Sequence, residues 1–311
     1  MTSADAESQG KSPELSVIIP SFNSRDKIVK CLDGLRSQRI DSPFEMIVVD
    51  SSDDGTGDML SGIEDIVLVR SRERLYPGTA RNRGAEAATG CVLCFIDADC
   101  VPSTDWLERI LEADPEAGRT AVGGAVRNGT PESSVGTAEY FSELSGLLPG
   151  RPMREVEFLP GANTAVGASA FAEVGGYRDF EKGSDVTFGS DCRRRGIQPV
   201  FHPEIAVAHG NRTDFSGFAS NQEKLGWGAG NNRVLYELPG SWLARNRIAW
   251  PLVPAARFSR IMLRGLRDGT GERWRLLKAA PHILVGSVRY GIGFARGVRD
   301  AEATRPRSHH A

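Results

Sequence analysis

Cys91-Val92-Leu93-Cys94-Phe95-Ile96-Asp97-Ala98-Asp99 is the stretch on which the fold turns. Its first six residues are apolar almost without interruption, which fits a central strand of a parallel sheet covered on both faces. Around it, strand and helix signals alternate at short intervals. Leu15 to Ile19 is a buried-strand run ended by Pro20, and Ile28, Cys31, Leu32 and Leu35 form one helical stripe. Met46 to Val49 and Ile66 to Val69 read as further strands, and Pro77 to Ala88 as a helix closed before Gly90. After Pro102, Ser103 or Thr104 is placed to cap a helix carrying Trp106, Leu107, Ile110 and Leu111. Ala121 to Val126 reads as a strand, with a short helix near Tyr140 and little periodicity from Arg119 to Val156. A second structured stretch runs from Phe158 to Ala208, and helices follow Gly210. The alternation predicts an α/β fold, a mostly parallel sheet with flanking helices.

The same stretch carries the sharpest chemical signal. Asp97 and Asp99 are separated by one residue and project to one side if the backbone stays extended. They fall where a buried strand ends, the edge at which open α/β sheets bind ligands. Neighbouring carboxylates repel unless neutralised, so oxygen-ligated Mg2+ or Mn2+ is their natural partner. Polar loops follow two other strands: Pro20-Ser21-Phe22-Asn23 and Asp50-Ser51-Ser52-Asp53-Asp54-Gly55-Thr56. Neither is the glycine-rich turn of a dinucleotide fold or of a nucleotide-phosphate loop, which counts against a dehydrogenase and a P-loop enzyme.

Composition sets the outer bounds. The 311 residues are 40% apolar and 25% charged, ordinary for a globular chain. The net charge of −2 hides an acidic body and a basic end, because from Arg233 onward 15 Lys and Arg face 5 Asp and Glu. Five cysteines, Cys31, Cys91, Cys94, Cys100 and Cys192, predict buried, reduced thiols in a cytosolic protein. The odd spacing of Cys91 and Cys94 sends them to opposite faces of a strand, a poor metal clamp. Neither a signal peptide nor a transmembrane run is visible in the sequence.

Taken in order, the segments resemble the family-two glycosyltransferases of the GT-A fold. The matching pieces are Ser16 to Asn23, Val48-Val49-Asp50 with Asp54-Gly55-Thr56, and Ala80-Arg81-Asn82-Arg83-Gly84. They continue with Asp97-Ala98-Asp99, Gly161-Ala162-Asn163 leading to Gly175-Gly176-Tyr177, and Ser184-Asp185-Val186 before Arg193-Arg194-Arg195-Gly196. The resemblance implies a GT-A domain over residues 14–215, between a flexible tail (1–13) and a helical, basic extension (216–311). It implies that Pro20, Ser21 and Asp50 hold the donor nucleotide, with Arg81 nearby and Asp97 at the ribose and metal shell. Asp99 is then the more direct ligand of Mn2+ or Mg2+, His209 a third ligand, and Asp185 the general base on the acceptor hydroxyl. One base on the face opposite the leaving group gives a single displacement with inversion.

The departures are specific. Ser184 stands where the family has Glu, Gly167-Ala168 where basic residues are common, and Phe22 where Tyr is frequent. Gln222-Glu223-Lys224-Leu225-Gly226-Trp227 does not match the Gln-x-x-Arg-Trp of processive synthases, which argues for single-sugar addition and leaves Trp227 as a packed aromatic or acceptor wall. Gly226, Gly228 and Gly230 suggest a tight bend. Two other readings compete, a nucleotidyltransferase and a non-catalytic nucleotide-sugar scaffold. The first would carry a Gly/Arg/Lys-rich phosphate loop that Pro20 to Asn23 is not.

In the last third, Arg257, Arg260, Arg264 and Arg267 recur at helical spacing among Phe258, Ile261, Met262 and Leu266, with Trp242, Trp250 and Trp274 nearby. Cations beside apolar residues suit an anionic membrane surface. No nucleic-acid-reading module accompanies them. The expected partners are therefore a nucleotide-sugar donor, a glycan or lipid-linked acceptor and that membrane surface. The expected place is the cytoplasm, peripheral on the membrane face.

Overall fold

The computed structural model describes residues 13–236, 238–267 and 271–304. Of the tail expected over 1–13, all but Pro13 lies outside the described residues. The strands are β1 (Leu15–Ser21), β2 (Phe44–Asp50), β3 (Val67–Arg70), β4 (Val92–Ile96), β5 (Cys100–Pro102), β6 (Thr120–Asn128), β7 (Arg154–Glu155), β8 (Asn163–Gly167) and β9 (Gln198–His209). Between them lie α1 (Arg25–Arg36), α2 (Thr56–Leu60), α3 (Pro77–Ala87), α4 (Trp106–Glu112), α5 (Ser134–Leu144), α6 (Ala168–Val174) and α7 (Ser184–Arg194). After β9 the described residues form only helices: α8 (Phe215–Tyr236), α9 (Ser241–Arg245), a 3-10 turn (Arg247–Leu252), α10 (Val253–Leu266) and α11 (Arg273–Thr304).

The strands make one sheet in the order β3-β2-β1-β4-β8-β6-β9-β5, with β7 also on β9. β1 to β4, β6 and β9 run one way, and β5, β7 and β8 run against them. Alternation along each strand feeds two cores. Leu15, Val17 and Ile19 with Val92, Cys94 and Ile96 face α1 and α4, and the α1 stripe Ile28, Cys31, Leu32 and Leu35 is buried there as its spacing predicts. Ile18, Leu93 and Phe95 face the other way, against Ala80 of α3, Phe171 of α6 and Phe188 of α7. Each of these sheet residues is at most 4% exposed, which is why the Cys91 to Ile96 run shows no alternation in its sequence.

Several expectations are corrected. Gly226, Gly228 and Gly230 lie inside the 22-residue helix α8, not at a bend. Their role is close approach: a Cβ at Gly226 or Gly230 would strike the Tyr290 or Phe294 carbonyl of α11, and one at Gly293 or Gly297 would strike the Glu223 or Trp227 carbonyl of α8. The two helices meet backbone to backbone through glycines on both sides, a contact that a single-sequence reading takes for a chain break. The cap of α4 is Asp105, and neither Ser103 nor Thr104 takes that place; the Leu107 N–H donates instead to Gln38 Oε1 at the end of α1 (3.0 Å). The short helix expected near Tyr140 is α5, 11 residues long and buried from Gly136 to Ser142, which is why the segment before Val156 shows little periodicity. Cys91 is exposed just ahead of β4, whereas the other four cysteines are buried. No described helix is long and apolar enough to cross a membrane.

Replacing Gly293 by Leu is expected to wedge α8 from α11 and lower unfolding stability by about 2 kcal/mol. Urea or thermal unfolding measures it, and an unchanged midpoint would show that the two backbones have room to part.

Candidate active site

Chain order puts the polar residues at one edge of the sheet. Parallel β1, β2 and β4 end side by side, and the β1–β2 register sets Ser21 opposite Asp50. The Ser21 hydroxyl donates to Asp50 Oδ1 (2.8 Å), and the Ser52 hydroxyl donates to the same oxygen (2.6 Å). Asp50 is only 2% exposed and stands behind Ser21. Pro20, Ser21, Ala80, Asp97, Ala98 and Asp99 line a cleft of about 170 Å3, with Phe22, Leu75 and Pro77 as its apolar wall. Arg74 stacks its guanidinium 4.5 Å from the Phe22 ring centre.

The Asp97-Ala98-Asp99 backbone is not extended. It is a turn, closed by the Cys100 N–H donating to the Asp97 carbonyl (2.9 Å). The carboxylates therefore part, yet both line the cleft. Asp97 Oδ1 takes a hydrogen bond from Arg81 Nη2 (2.5 Å). Arg81 is 3% exposed and its guanidinium lies 5.3 Å from the Tyr177 ring centre, so it is directed at Asp97 and not into the cleft.

Asp99 turns the other way, with Lys27 Nζ 3.3 Å from Oδ2 and His209 Nε2 3.6 Å from Oδ1. The register of antiparallel β5 and β9, Cys100 opposite His209, brings those two side chains together across 110 residues of chain. His209, expected just after its strand, is the strand's last residue. Its Nδ1 faces Asn211 Oδ1 at 2.9 Å, and the Asn211 amide nitrogen is committed to Asn128 Oδ1, Thr130 Oγ1 and the His209 carbonyl. That orientation makes Asn211 Oδ1 an acceptor, puts a proton on Nδ1 and makes Nε2 the nitrogen that faces Asp99.

Burial alone would raise the Asp99 carboxyl, but His209 and Lys27 outweigh it and hold it below the usual carboxylate range. Burial lowers the His209 imidazole, and Asp99 and Glu143 more than reverse that. A carboxylate oxygen and an imidazole nitrogen facing each other suit a divalent cation of the Mn2+ or Mg2+ kind. Cys100 also comes within reach of the pair, but burial and the two aspartates push its thiol well up, so it stays protonated and is a poor ligand.

Asp185 is the second residue of α7, where its Oδ1 accepts the Val186 N–H (2.9 Å). Burial raises its carboxyl above the usual range; Arg81 pulls it down and Asp97 pushes it up. One buried arginine thus lies in the field of both Asp97 and Asp185. Ser184 is buried against Gly78 of α3.

Some residues of this neighbourhood escape the sequence reading. Lys27 is on the exposed side of α1 and has no motif to mark it. On α5, Glu139 pairs with Arg212 (2.6 Å), and Asn221 of α8 bridges Glu139 (2.9 Å) and Glu143 (2.6 Å). Glu143 is open to solvent yet walled by protein, and burial and the neighbouring Glu139 push its carboxyl up to about 7. Weak periodicity in α5 hid these acids.

Comparison with known proteins bears on the family and the fold. The family model described as Glycosyl transferase family 2 matches residues 16–172, half of the chain. Glycosyltransferase AglE of Haloferax volcanii is 28% identical over 223 residues, covering 70% of this chain and 73% of that protein. The glucosyl-dolichyl phosphate glucuronosyltransferase of the same organism is 29% identical over 179 residues, covering 53% of this chain and 56% of its own length. Among solved structures, mannosyltransferase PcManGT from Pyrobaculum calidifontis, in complex with GDP-Man and Mn2+, superposes with a TM-score of 0.57 at 18% identity, covering 91% of this chain and 87% of that one. That likeness shows the fold, the GT-A-like α/β architecture expected from the sequence.

Arg81→Met is expected to leave Asp97 without its partner. The cost should be about 2 kcal/mol of stability in urea unfolding, below that of a fully buried pair because solvent reaches Asp97. Arg81→Lys should fall between the two, and an unaltered midpoint would mean that Asp97 draws its compensation from elsewhere.

Proposed function

This chain belongs to glycosyl transferase family 2, and from that premise we propose that it moves one sugar from a nucleotide-diphosphate sugar to an acceptor hydroxyl, with inversion at the anomeric carbon. The observation that carries the reading is the facing pair of Asp99 and His209 Nε2 beside the cleft lined by Pro20, Ser21 and Asp97. Asp99 and His209 would hold a divalent cation, Mn2+ or Mg2+, which when bound offsets the charge gathering on the departing diphosphate. Ser21, fixed by Asp50, and the Phe22 wall receive the nucleoside, with Pro20 closing the cleft behind it. Asp97, held by Arg81, takes the ribose side.

Asp185 is the base. A carboxyl raised by burial is a stronger proton acceptor than one in water, and a proton moving onto it is partly stabilised because the buried site disfavours its charge. As the acceptor oxygen bonds to the anomeric carbon, the bond to the diphosphate oxygen breaks on the opposite face and the acceptor proton passes to Asp185. The acceptor is a glycan or a lipid-linked sugar. A relative named as a glucosyl-dolichyl phosphate glucuronosyltransferase supports the lipid-linked form. The enzyme works at the cytoplasmic face of a membrane.

Asp185→Asn should bind donor normally and transfer about a thousandfold more slowly. In the native enzyme transfer should fall on acidification through a pH above the ordinary carboxylate range, because a raised base is protonated earlier. Undiminished transfer by Asp185→Asn would remove it from the chemistry. Asp99→Ala and His209→Ala should each abolish the Mn2+-dependent thermal shift given by a UDP-, GDP- or dTDP-sugar, as should a chelator. A shift that survives all three treatments would exclude the cation site.

A further inference from the structure

The long helix α11 is apolar twice over. Leu276, Ala279, Ile283, Phe294, Val298 and Ala301 form its buried face. Trp274, Leu277, Leu284, Val285, Val288 and Ile292 are all exposed by 41% or more. At 3.6 residues per turn these six fall in a single stripe about 100° wide and some 27 Å long, on the side away from the core. Leu252, Leu263 and Leu266 are likewise exposed on and just before α10, which packs alongside, and Ile248 of the 3-10 turn is 89% exposed. So much outward apolar surface on adjoining helices is not needed by the fold.

The charge around it is mainly positive, with Glu272, Asp300 and Glu302 at the two ends of α11. From residue 238 to 267, and again from 273 to 299, the chain contains no Asp or Glu, while Arg260, Arg264, Arg267, Arg273 and Lys278 are all exposed. Arg289 and Arg296, on one flank of the α11 stripe, are drawn to Glu223 of α8. Arg257 is the exception to the cationic row expected from the sequence. It turns inward to the Gln222 side-chain oxygen (2.7 Å) and the Ser142 carbonyl (3.0 Å), with its guanidinium 3.8 Å from the Tyr290 ring centre.

We propose that the outward faces of α10 and α11 dock on the surface of an anionic lipid bilayer, apolar side chains entering the headgroup boundary and the flanking cations meeting lipid phosphates. A second copy of the chain does not fit as occupant, since two such faces would set cation against cation. A nucleic acid would use the charge and leave the apolar stripe wet. The helices lie on the membrane and do not span it, as no described helix has the length and apolarity to cross. The proposal names the partner of a lipid-linked acceptor and to that extent deepens the reading above. Its test needs neither donor nor acceptor, so the two can fail separately.

The 311-residue chain is floated with phosphatidylcholine vesicles and with phosphatidylcholine–phosphatidylglycerol vesicles, at low and high salt. It should float with the anionic vesicles only, and less at high salt. A triple variant, Trp274→Ser with Leu277→Ser and Leu284→Ser, should bind at least about tenfold more weakly, and Lys278→Glu about fivefold or more. Both should keep the native unfolding midpoint, because the altered side chains are exposed. Failure to float, or flotation untouched by the triple variant, overturns the proposal. So does a dimer in sedimentation equilibrium that the triple variant dissolves, which would assign the face to a second copy.

Discussion

Everything at the cleft depends on neutralising carboxylates crowded at one sheet edge. Asp50, Asp97, Asp99 and Asp185 come from three strand ends and a helix start, and like charges in a partly buried edge repel. Each is answered from a different element. Asp50 is met by two serine hydroxyls, Asp97 by Arg81 of α3, and Asp99 by Lys27 of α1 and His209 of β9. Asp185 has only a backbone N–H and the field of Arg81. Burial raises its carboxyl above the ordinary range. Asp99, by contrast, is held below the usual carboxylate range by His209 and Lys27.

The pairing of Asp99 with His209 is a matter of register. β5 is three residues long and nearly invisible by pattern, yet its antiparallel alignment with β9 carries the turn of Asp97 to Asp99 to the end of that strand. Nearby, the buried Asn163 joins Trp106, Ala125 and Ile205, from α4, β6 and β9, by hydrogen bonds of 2.8–3.3 Å. A single amide thus ties α4, β6 and β9 to β8.

What could be read from the chain was whatever repeats locally. The α1 stripe, the unbroken apolar β4 run and the polar loops after β1 and β2 follow from periodicity and turn chemistry, and they placed Pro20, Ser21, Asp50, Asp97 and Asp99 at one edge. What could not be read was set by contacts distant in sequence. Lys27 became part of the site only when α1 packed beside β5. Arg81 was expected near the nucleotide and is instead buried under Asp97. The glycines of α8 looked like a bend because the glycines facing them lie some 65 residues further along.

Those glycines also connect the basic helices to the cleft. Because α8 and α11 approach backbone to backbone, Gln222 is fully buried, and its amide must be satisfied inside the protein. Its oxygen accepts from Arg257 of α10, and its nitrogen donates to Glu143 of α5 (3.3 Å). Glu143 shares Asn221 with Glu139, Glu139 pairs with Arg212, and Arg212 lies three residues beyond His209. A run of polar groups, buried at Gln222, Asn221 and Glu139 and open to solvent at Glu143 and Arg212, therefore leads from α10 through α8 and α5 to the segment that follows β9. With its members fixing one another's orientation, the basic helices could not shift against the α/β body without unsatisfying groups in that run. The C-terminal helices are thus joined by hydrogen bonds to α5, which in turn holds Arg212 in the segment after β9.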